Sequence, residues 1–228
     1  GALRAIHDDP SSSDARKVSC LLLEALALTG LRFNELATLP RARVDLHMGT
    51  FTIPDASSKN RRPLVRPLTR RVQQIFEQLG SDPDGYVFPG REPQEPLNNN
   101  CKVRKPLNNT RKLQLELQAR TGLWITPHDL RRVWTSAASR ADIPAEAIKR
   151  LLNHQSNAEE VTAGYIRFGL DELTEYAQAV EDRILTDAGL APSSSLDLQL
   201  GDLLGTLPDA EKQRILNELV QRQVEASS

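Results

Sequence analysis

The sequence predicts a mainly helical α+β fold with one small antiparallel β-sheet. Three observations lead to this prediction: several segments carry apolar residues at helical spacing, one region alternates like a strand hairpin, and Gly, Pro and Asn gather between the periodic segments. The sequence shows no internal repeat. With 228 residues, the chain is long enough to bury one core and to carry an appendage.

The first predicted elements are helical. Residues 14–32, DARKVSCLLLEALALTGLR, place apolar side chains at helical spacing, and Gly30 provides a stop signal. NELATLPRARV predicts a second, short helix that ends before Pro40. Residues 1–13 show no comparable pattern, so we expect them to form an N-terminal tether.

A hairpin and a helix follow. GTFTIP (49–54) alternates like a strand, DASSKNRR (55–62) is a polar turn, and PLVRPLT (63–69) predicts the returning strand. Lys59 lies at the tip of this hairpin. TRRVQQIFEQL (69–79) has the spacing of an amphipathic helix.

The middle of the chain alternates between loop and helix signals. Residues 80–110 are rich in Gly, Pro and Asn and predict a loop, whereas RKLQLELQARTGL (111–123) predicts a helix. TPHDLRR begins another helix, which Thr126 caps and which has Pro127 at its first position.

The C-terminal third is helical up to a linker. IPAEAIKRLLNH (143–154) predicts a helix, and residues 163–184 predict one or two more. APSSSLD begins a segment, 191–228, that we expect to be a linker followed by an acidic helical tail, after a main domain over 14–190. Trp124 and Trp134 are expected in the core.

The net charge of −1 conceals an asymmetry between the body and the tail. Residues 169–228 contain four basic and twelve acidic residues, which leaves 25 basic and 18 acidic residues in 1–168. A basic body suggests a polyanionic partner such as nucleic acid. From charge alone, a solvated surface explains the pattern better.

The composition argues against a secreted, membrane-spanning or disulfide-rich protein. The two cysteines, Cys20 and Cys101, lack metal-ligand spacing and indicate a reducing, intracellular compartment. No apolar run is long enough to cross a bilayer, and no stretch is typical of a signal peptide. The chain begins with Gly1 rather than Met, so we expect it to be a fragment or processed product.

Six polar residues stand in locally unusual contexts. They are Arg32, Lys59, His128, Arg131, His154 and Tyr165. Taken singly, each is better explained by an ordinary structural role, such as an ion pair, a solvated turn or a helix cap. Together they supply a metal-free phosphate site, since guanidiniums bind non-bridging oxygens, imidazole and ammonium groups move protons, and a phenol can be the nucleophile. The sequence lacks carboxylate clusters at metal-ligand spacing, so we expect no metal and no cofactor.

At these motifs the sequence resembles the catalytic domain of the tyrosine recombinases, in the branch of phage and genomic-island integrases, over roughly residues 15–185. TGLRFNEL resembles the first arginine box, which implies that Arg32 binds phosphate with Glu35 as its supporting acid. SSKNRRPLVRPL resembles the hairpin of the general-acid lysine, which implies this role for Lys59. HDLRR resembles the His-x-x-Arg box, so His128 and Arg131 are expected to contact the scissile phosphate.

The remaining boxes follow in the family's order. LLNH resembles the second histidine box, with Asn153 in the place that is usually glycine, and implies that His154 holds the phosphate. VTAGYIR resembles the nucleophile segment and implies that Tyr165 attacks. The resemblance therefore implies the DNA breaking-rejoining fold and an enzyme, a DNA strand transferase.

The resemblance also implies a function and partners. A site-specific recombinase or integrase would cut and rejoin double-stranded DNA through a 3′-phosphotyrosine intermediate, for integration or excision of a phage or other mobile genetic element. The expected partners are DNA, copies of the same chain in a synaptic tetramer, and accessory DNA-bending proteins, in the cytoplasm and away from membranes. Family members usually carry an upstream DNA-clamping domain, and nothing in this sequence resembles it.

Basic residues near the hairpin and in the central loop are candidates for contacts with DNA phosphates, although a solvated surface explains any single one equally well. They are Arg61, Arg62, Arg66, Arg70, Arg71, Lys102, Arg104 and Lys105. Two alternatives to a recombinase stay open at this point. One is a type IB topoisomerase-like enzyme that nicks and reseals a single strand, and the other is a DNA-binding protein of the same fold that does not cleave.

Overall fold

The computed structural model describes residues 1–54, 64–80, 84–90, 104–152 and 168–190. The chain divides into two units, Gly1–Ala191 and Pro192–Ser228, and every described residue belongs to the first. The predicted linker and acidic tail, 191–228, lie outside the described residues. In the described part of the chain, no helix combines the length and the apolar character that a bilayer crossing requires.

Helices dominate the described ranges, as the sequence predicts. They are α1 (Ala2–His7), α2 (Asp14–Thr29), α3 (Phe33–Ala37), a 3-10 turn (Arg41–Arg43), α4 (Arg70–Gln78), α5 (Arg111–Thr121), α6 (Pro127–Arg140), α7 (Ala145–Leu151) and α8 (Leu170–Asp187). The predicted helices correspond to α2 to α8, with ends that differ by a few residues. The described parts of the predicted central loop form no helix or strand.

The small sheet has three strands, β1 (Val44–Asp45), β2 (Thr50–Ile53) and β3 (Leu64–Pro67), in the order β1-β2-β3. Both pairings are antiparallel, and Phe51 lies opposite Arg66 in the register of β2 and β3. The predicted hairpin is therefore confirmed, whereas β1 is too short to produce an alternating pattern. The tip that carries Lys59 lies outside the described residues.

The N-terminal segment contributes to the core, which corrects the expectation of a tether over residues 1–13. Ile6 of α1 is fully buried, and the Ser12 hydroxyl donates to its carbonyl at 2.6 Å. Arg4 also donates to Glu24 of α2 at 3.2 Å. A helix of six residues with one fully buried side chain is too short to show a helical period in the sequence.

Two groups of buried side chains form the interior. In the first, Phe76 of α4 packs edge to face against Phe51 of β2 and against Phe88, with ring centroids 5.6 and 5.9 Å apart. The second lies among α6, α7 and α8 and is centred on the fully buried Trp134. The prediction for Trp134 is confirmed.

Trp124 does not belong to either group. It is 42% exposed, and the guanidinium of Arg111 lies 5.9 Å from its ring centroid. The prediction that it is buried is wrong because the residue lies in the short connection between α5 and α6, where its ring is covered from one side by an arginine instead of by the core.

A glycine defines the C-terminal end of α2, and a threonine defines the start of α6. Gly30 closes α2 in the left-handed region, with φ +66°, and donates its N–H to the Leu26 carbonyl at 3.0 Å. Thr126 caps α6, and its hydroxyl accepts from the Asp129 N–H at 3.3 Å while Pro127 takes the first helical position. The predicted start of α6 is therefore confirmed.

Helix α8 is fastened to the start of α4 by its side chains. The fully buried Glu181 accepts from the backbone N–H of Arg71 at 2.9 Å and from the Thr69 hydroxyl. A carboxylate at this position satisfies donors that the first turn of α4 cannot pair internally, and it complements the helix dipole. The contact therefore joins the C-terminal helix of the described unit to the sheet side of the domain.

Candidate active site

The turn between α2 and α3 exposes Arg32 and buries Glu35. The Arg32 side chain is 53% exposed, whereas that of Glu35 is 1% exposed. Glu35 accepts from the Arg32 backbone N–H and from the Arg32 Nη1, both at 2.9 Å. One buried carboxylate thus fixes both ends of the arginine, so that the guanidinium keeps a defined direction while one side of it stays open to solvent.

Arg131 lies in the interior of α6 and connects two other elements. It is 8% exposed, and its Nη1 and Nη2 each donate at 2.8 Å, to the carbonyls of Gly30 and Leu152. Burial lowers the pKa of Arg131, the charge of Arg32 lowers it further, and the charge of Glu35 opposes both effects. The structure therefore brings Arg32, Glu35 and Arg131 together, although 99 residues separate the two arginines in the sequence.

The C-terminal end of α2 is held by three side chains from other elements. Three successive carbonyls, of residues 28, 29 and 30, accept in turn from Trp134 Nε1 at 3.0 Å, Arg66 Nη2 at 3.2 Å and Arg131 Nη1 at 2.8 Å. Carbonyls at a helix end lack partners within the helix and form the negative end of its dipole, which favours cationic donors. These bonds fix the residues that immediately precede Arg32.

Gly30 lies in close contact with the side chains of Leu152 and Trp134. A Cβ built at this position would lie 2.8 Å from Leu152 Cδ2 and 2.8 Å from Trp134 Cγ. Its φ of +66° is also a conformation that side chains disfavour. Glycine alone allows α2 to end against the ring of Trp134 and to present its carbonyl to Arg131.

Arg66 belongs to this region, and the prediction that it contacts DNA phosphates is wrong. It is 3% exposed, while its neighbour Val65 is 47% exposed. Burial lowers the pKa of Arg66 to about 9, with Glu35 raising it and Arg131 lowering it. The available sequence signal was the period of two in β3, since Arg66 shares its face with Leu64 and Leu68.

Arg70 and Arg71 are also engaged within the protein, which contradicts their expected role on DNA. Arg70 Nη2 donates to both carboxylate oxygens of Asp182, at 2.8 and 2.9 Å. Arg71 donates to both oxygens of Glu24, at 2.8 and 3.1 Å. These carboxylates neutralise the two arginines, which fasten α4 to α8 and to α2.

The structure describes only some of the other predicted site residues. His128 is exposed at the second position of α6, one helical turn before Arg131. Arg104 and Lys105 are exposed, so their contacts with DNA stay predictions. Six residues lie outside the described ranges: Lys59, Arg61, Arg62, Lys102, His154 and Tyr165. In the sequence, His154 lies two residues after Leu152, and Arg131 donates to the Leu152 carbonyl.

The described part of the site is suited to binding an anion. It combines an exposed guanidinium, a buried guanidinium and one buried carboxylate, with an exposed imidazole one turn away from the buried arginine. Guanidinium forks match the geometry of two phosphate oxygens. Among the described residues, no group of three His, Cys, Asp or Glu side chains could hold a metal ion.

Comparison with known proteins gives a consistent family. Residues 2–167 match the phage integrase family. The chain is 25% identical, over 190 residues, to prophage integrase IntF of Escherichia coli (strain K12), in an alignment that covers 80% of this chain. The chain spans 38% of the length of that relative.

Two solved structures of integrases resemble this chain to different degrees. The integrase from mycobacterium phage Brujita superposes with a TM-score of 0.55 at 21% identity, covering 82% of this chain and 58% of that one. The integrase of the Tn1549 transposon, solved in complex with transposon right end DNA, has a TM-score of 0.47 at 16% identity and covers 75% of this chain. The first of these likenesses supports the fold assignment.

Proposed function

The chain belongs to the phage integrase family of tyrosine recombinases, and on this premise we propose that it is a site-specific DNA recombinase. The proposed reaction cuts and rejoins double-stranded DNA through a 3′-phosphotyrosine intermediate, in the integration or excision of a mobile element. The catalytic unit includes α1 in this proposal, since Ile6 is part of the core. The DNA substrate places the activity in the cytoplasm of a bacterial or phage-infected cell.

The arrangement of Arg32, Glu35 and Arg131 is the observation that carries this proposal. Arg32 pairs directly with the buried Glu35, and Arg131, from a distant part of the chain, lies close enough to interact with the charges of both. The guanidinium of Arg32 remains half exposed. An ion pair that only joins two helices would need one arginine for one acid. The excess positive charge, next to the exposed His128, matches the demand of a phosphodiester that gains negative charge as it reacts.

In the proposed first step, the phenol oxygen of Tyr165 attacks phosphorus. A bond forms between this oxygen and phosphorus while the bond from phosphorus to the 5′ oxygen breaks. His128 assists removal of the phenolic proton, and Lys59 protonates the departing 5′ oxygen. Arg32, Arg131 and His154 stabilise the charge on the non-bridging oxygens.

In the proposed second step, a 5′-hydroxyl from a partner strand attacks the phosphotyrosine and releases Tyr165. One phosphoester replaces another in each step, so the bond energy is conserved and no ATP is consumed. Strand exchange between two duplexes needs several active sites, and we therefore propose self-association on DNA, with accessory DNA-bending proteins as further partners.

The proposal is tested by trapping the covalent intermediate. The chain is incubated with a pool of nicked duplexes of randomised sequence. Cleavage near the nick releases a short fragment that carries the new 5′-hydroxyl, and because this fragment diffuses away, the covalent adduct cannot be resealed. We expect a protein–DNA band that survives denaturing electrophoresis, and mass spectrometry of the nuclease-trimmed peptide should place the nucleotide on Tyr165. Tyr165→Phe should abolish the band.

Tyr176→Phe is the matched control, because Tyr176 packs edge to face on Phe168 at 5.7 Å and has no proposed contact with DNA. It should keep the adduct. An adduct that persists in Tyr165→Phe would refute the assigned nucleophile, and the absence of any adduct in the wild-type chain would favour a DNA-binding protein that does not cleave. Relaxation of supercoiled DNA without strand exchange would favour the topoisomerase-like alternative.

A further inference from the structure

We infer that Arg66 is a positioning residue of the active site, which holds the end of α2 beneath Arg32 and Arg131 and adds positive potential from within the protein. This inference rests on the proposed function. Arg66 lies in β3, on the strand that returns from the hairpin of Lys59, and its Nη2 donates to the Thr29 carbonyl at 3.2 Å. With an exposure of 3%, it is shielded from direct contact with DNA.

The placement of Arg66 reverses the usual order of a half-exposed strand. In β3 the aliphatic Val65 faces outward with 47% exposure, and the arginine faces inward opposite Phe51. Burying a guanidinium in this way is costly unless its donors are paired. Among the described residues, Arg66 Nε and Nη1 have no hydrogen-bond partner.

Two buried donors without partners in the described part of the chain carry a desolvation cost, which an arginine kept only for packing would not be expected to carry. Residues that violate local rules in this way are concentrated at functional sites. The site lies directly beside it: the Thr29 carbonyl that Arg66 binds precedes the Gly30 carbonyl that Arg131 binds.

The charges around Glu35 indicate what Arg66 contributes. The Glu35 carboxylate interacts electrostatically with both Arg66 and Arg131, and it is paired directly with Arg32. Three guanidiniums therefore share the electrostatic influence of a single carboxylate, and Arg32 is the one that contacts it directly. The net positive charge of this group favours the extra negative charge that a phosphodiester acquires when it is attacked.

The test compares Arg66→Met with Arg66→Lys in the full chain. We expect Arg66→Met to have a melting temperature equal to or above that of the wild type, because the removal of two buried donors without a described partner offsets the loss of the bond to the Thr29 carbonyl. We expect its rate of adduct formation at saturating nicked DNA to fall about tenfold or more, while the affinity for DNA changes less than threefold. Arg66→Lys keeps the charge and should recover part of the rate.

Arg41→Met is the matched control. Arg41 is also buried, at 9% exposure, and its Nη1 donates to the Phe76 carbonyl at 2.7 Å. In the described part of the chain, it has no interaction with Arg32, Glu35 or Arg131. This variant should lower the melting temperature and leave the rate of adduct formation unchanged.

Three outcomes would overturn the inference. The first is an Arg66→Met variant that forms the adduct at the wild-type rate. The second is a loss of melting temperature, or a failure to fold, because Arg66 would then be a stabilising residue of the ordinary kind. The third is a wild-type chain that forms no adduct, which refutes the proposed function as well. The first two leave the proposed function intact, so the two failures are distinguishable.

Discussion

Replacing Gly30 with alanine should damage both the stability and the chemistry of this protein. Gly30 closes α2 with φ +66°, and its carbonyl is one of the two acceptors that hold Arg131. An added Cβ would meet Trp134 and Leu152 at 2.8 Å, a distance that forces one of these groups to move. Because Trp134 is fully buried, the backbone of Gly30 is expected to give way first.

Two effects contribute to the loss of unfolding free energy in Gly30→Ala. A residue with a Cβ in the left-handed region costs about 1–2 kcal/mol, and overpacking a buried contact costs about 1–3 kcal/mol. The unfolding free energy should therefore fall by about 2–5 kcal/mol. In a domain of this size, 1 kcal/mol lowers the melting temperature by about 2–4 °C, which gives a loss of about 4–20 °C.

Gly122→Ala separates the two effects. Gly122 closes α5 in the same way, with φ +74° and its N–H on the Gln118 carbonyl at 2.8 Å, but no described atom lies within 4 Å of its Cβ position. This control should lose only the backbone contribution, about 1–2 kcal/mol. Thermal unfolding of the two variants is compared, and adduct formation on nicked DNA is measured well below both melting temperatures.

Equal losses of melting temperature in the two variants would refute the reasoning, because the contact of Gly30 with Trp134 and Leu152 would then contribute nothing. A second outcome is that the losses differ as expected while Gly30→Ala still forms the adduct at the wild-type rate. In that case the Gly30 carbonyl is not needed to position Arg131, and the packing of Gly30 does not affect the reaction.

Three further predictions concern the ion pairs and the helix contacts. Burial, the largest single influence, raises the pKa of Glu24, but the hydrogen bonds and charges of Arg71 and Arg4 together outweigh it and hold the pKa below the ordinary 4.5. The wild type should therefore be more stable than Glu24→Gln by about 1–3 kcal/mol in urea denaturation at pH 7. This advantage should persist above pH 4.5 and disappear as the pH falls below it. Glu181→Ala leaves the Thr69 hydroxyl and a backbone N–H of α4 unpaired, so the free energy of unfolding should fall by about 2–4 kcal/mol. Hydrogen exchange should show faster amide exchange at the start of α4 than at its end, and uniform protection along α4 would contradict the capping role of Glu181. Arg131→Lys loses the planar fork and should slow adduct formation about 100-fold or more with a smaller change in DNA affinity, and a loss of affinity alone would exclude a role in the chemistry.

The sequence predicted local structure well where the signal is local. The helical period of α2, the stop at Gly30 and the capped start at Thr126 and Pro127 are all found, because each depends on residues within a few positions of one another. The hairpin of β2 and β3 is found for the same reason. The helix at Ala2–His7 was missed, since so short a segment is defined mainly by the core against which it packs.

Which arginines are buried and which are exposed was not predicted from their sequence neighbours. The order of the motifs singled out Arg32 and Arg131, and the structure brings them close enough for their charges to interact, with the buried Glu35 paired to Arg32. The same reasoning assigned Arg66, Arg70 and Arg71 to DNA because arginine is normally exposed. Whether an arginine faces solvent depends on acids such as Glu24 and Asp182, which lie 47 and 112 residues away from their partners.

The amino-acid sequence by itself determined the chemical groups of this protein, the order in which they occur, and the helices and strands that carry them, because these depend on residue type and short-range spacing. Only the tertiary structure decided which guanidiniums lie near Glu35 and which join helices to one another. The reason is that desolvation and charge pairing act between residues that are close in space, and this proximity is set when the end of α2 packs against α6 and β3.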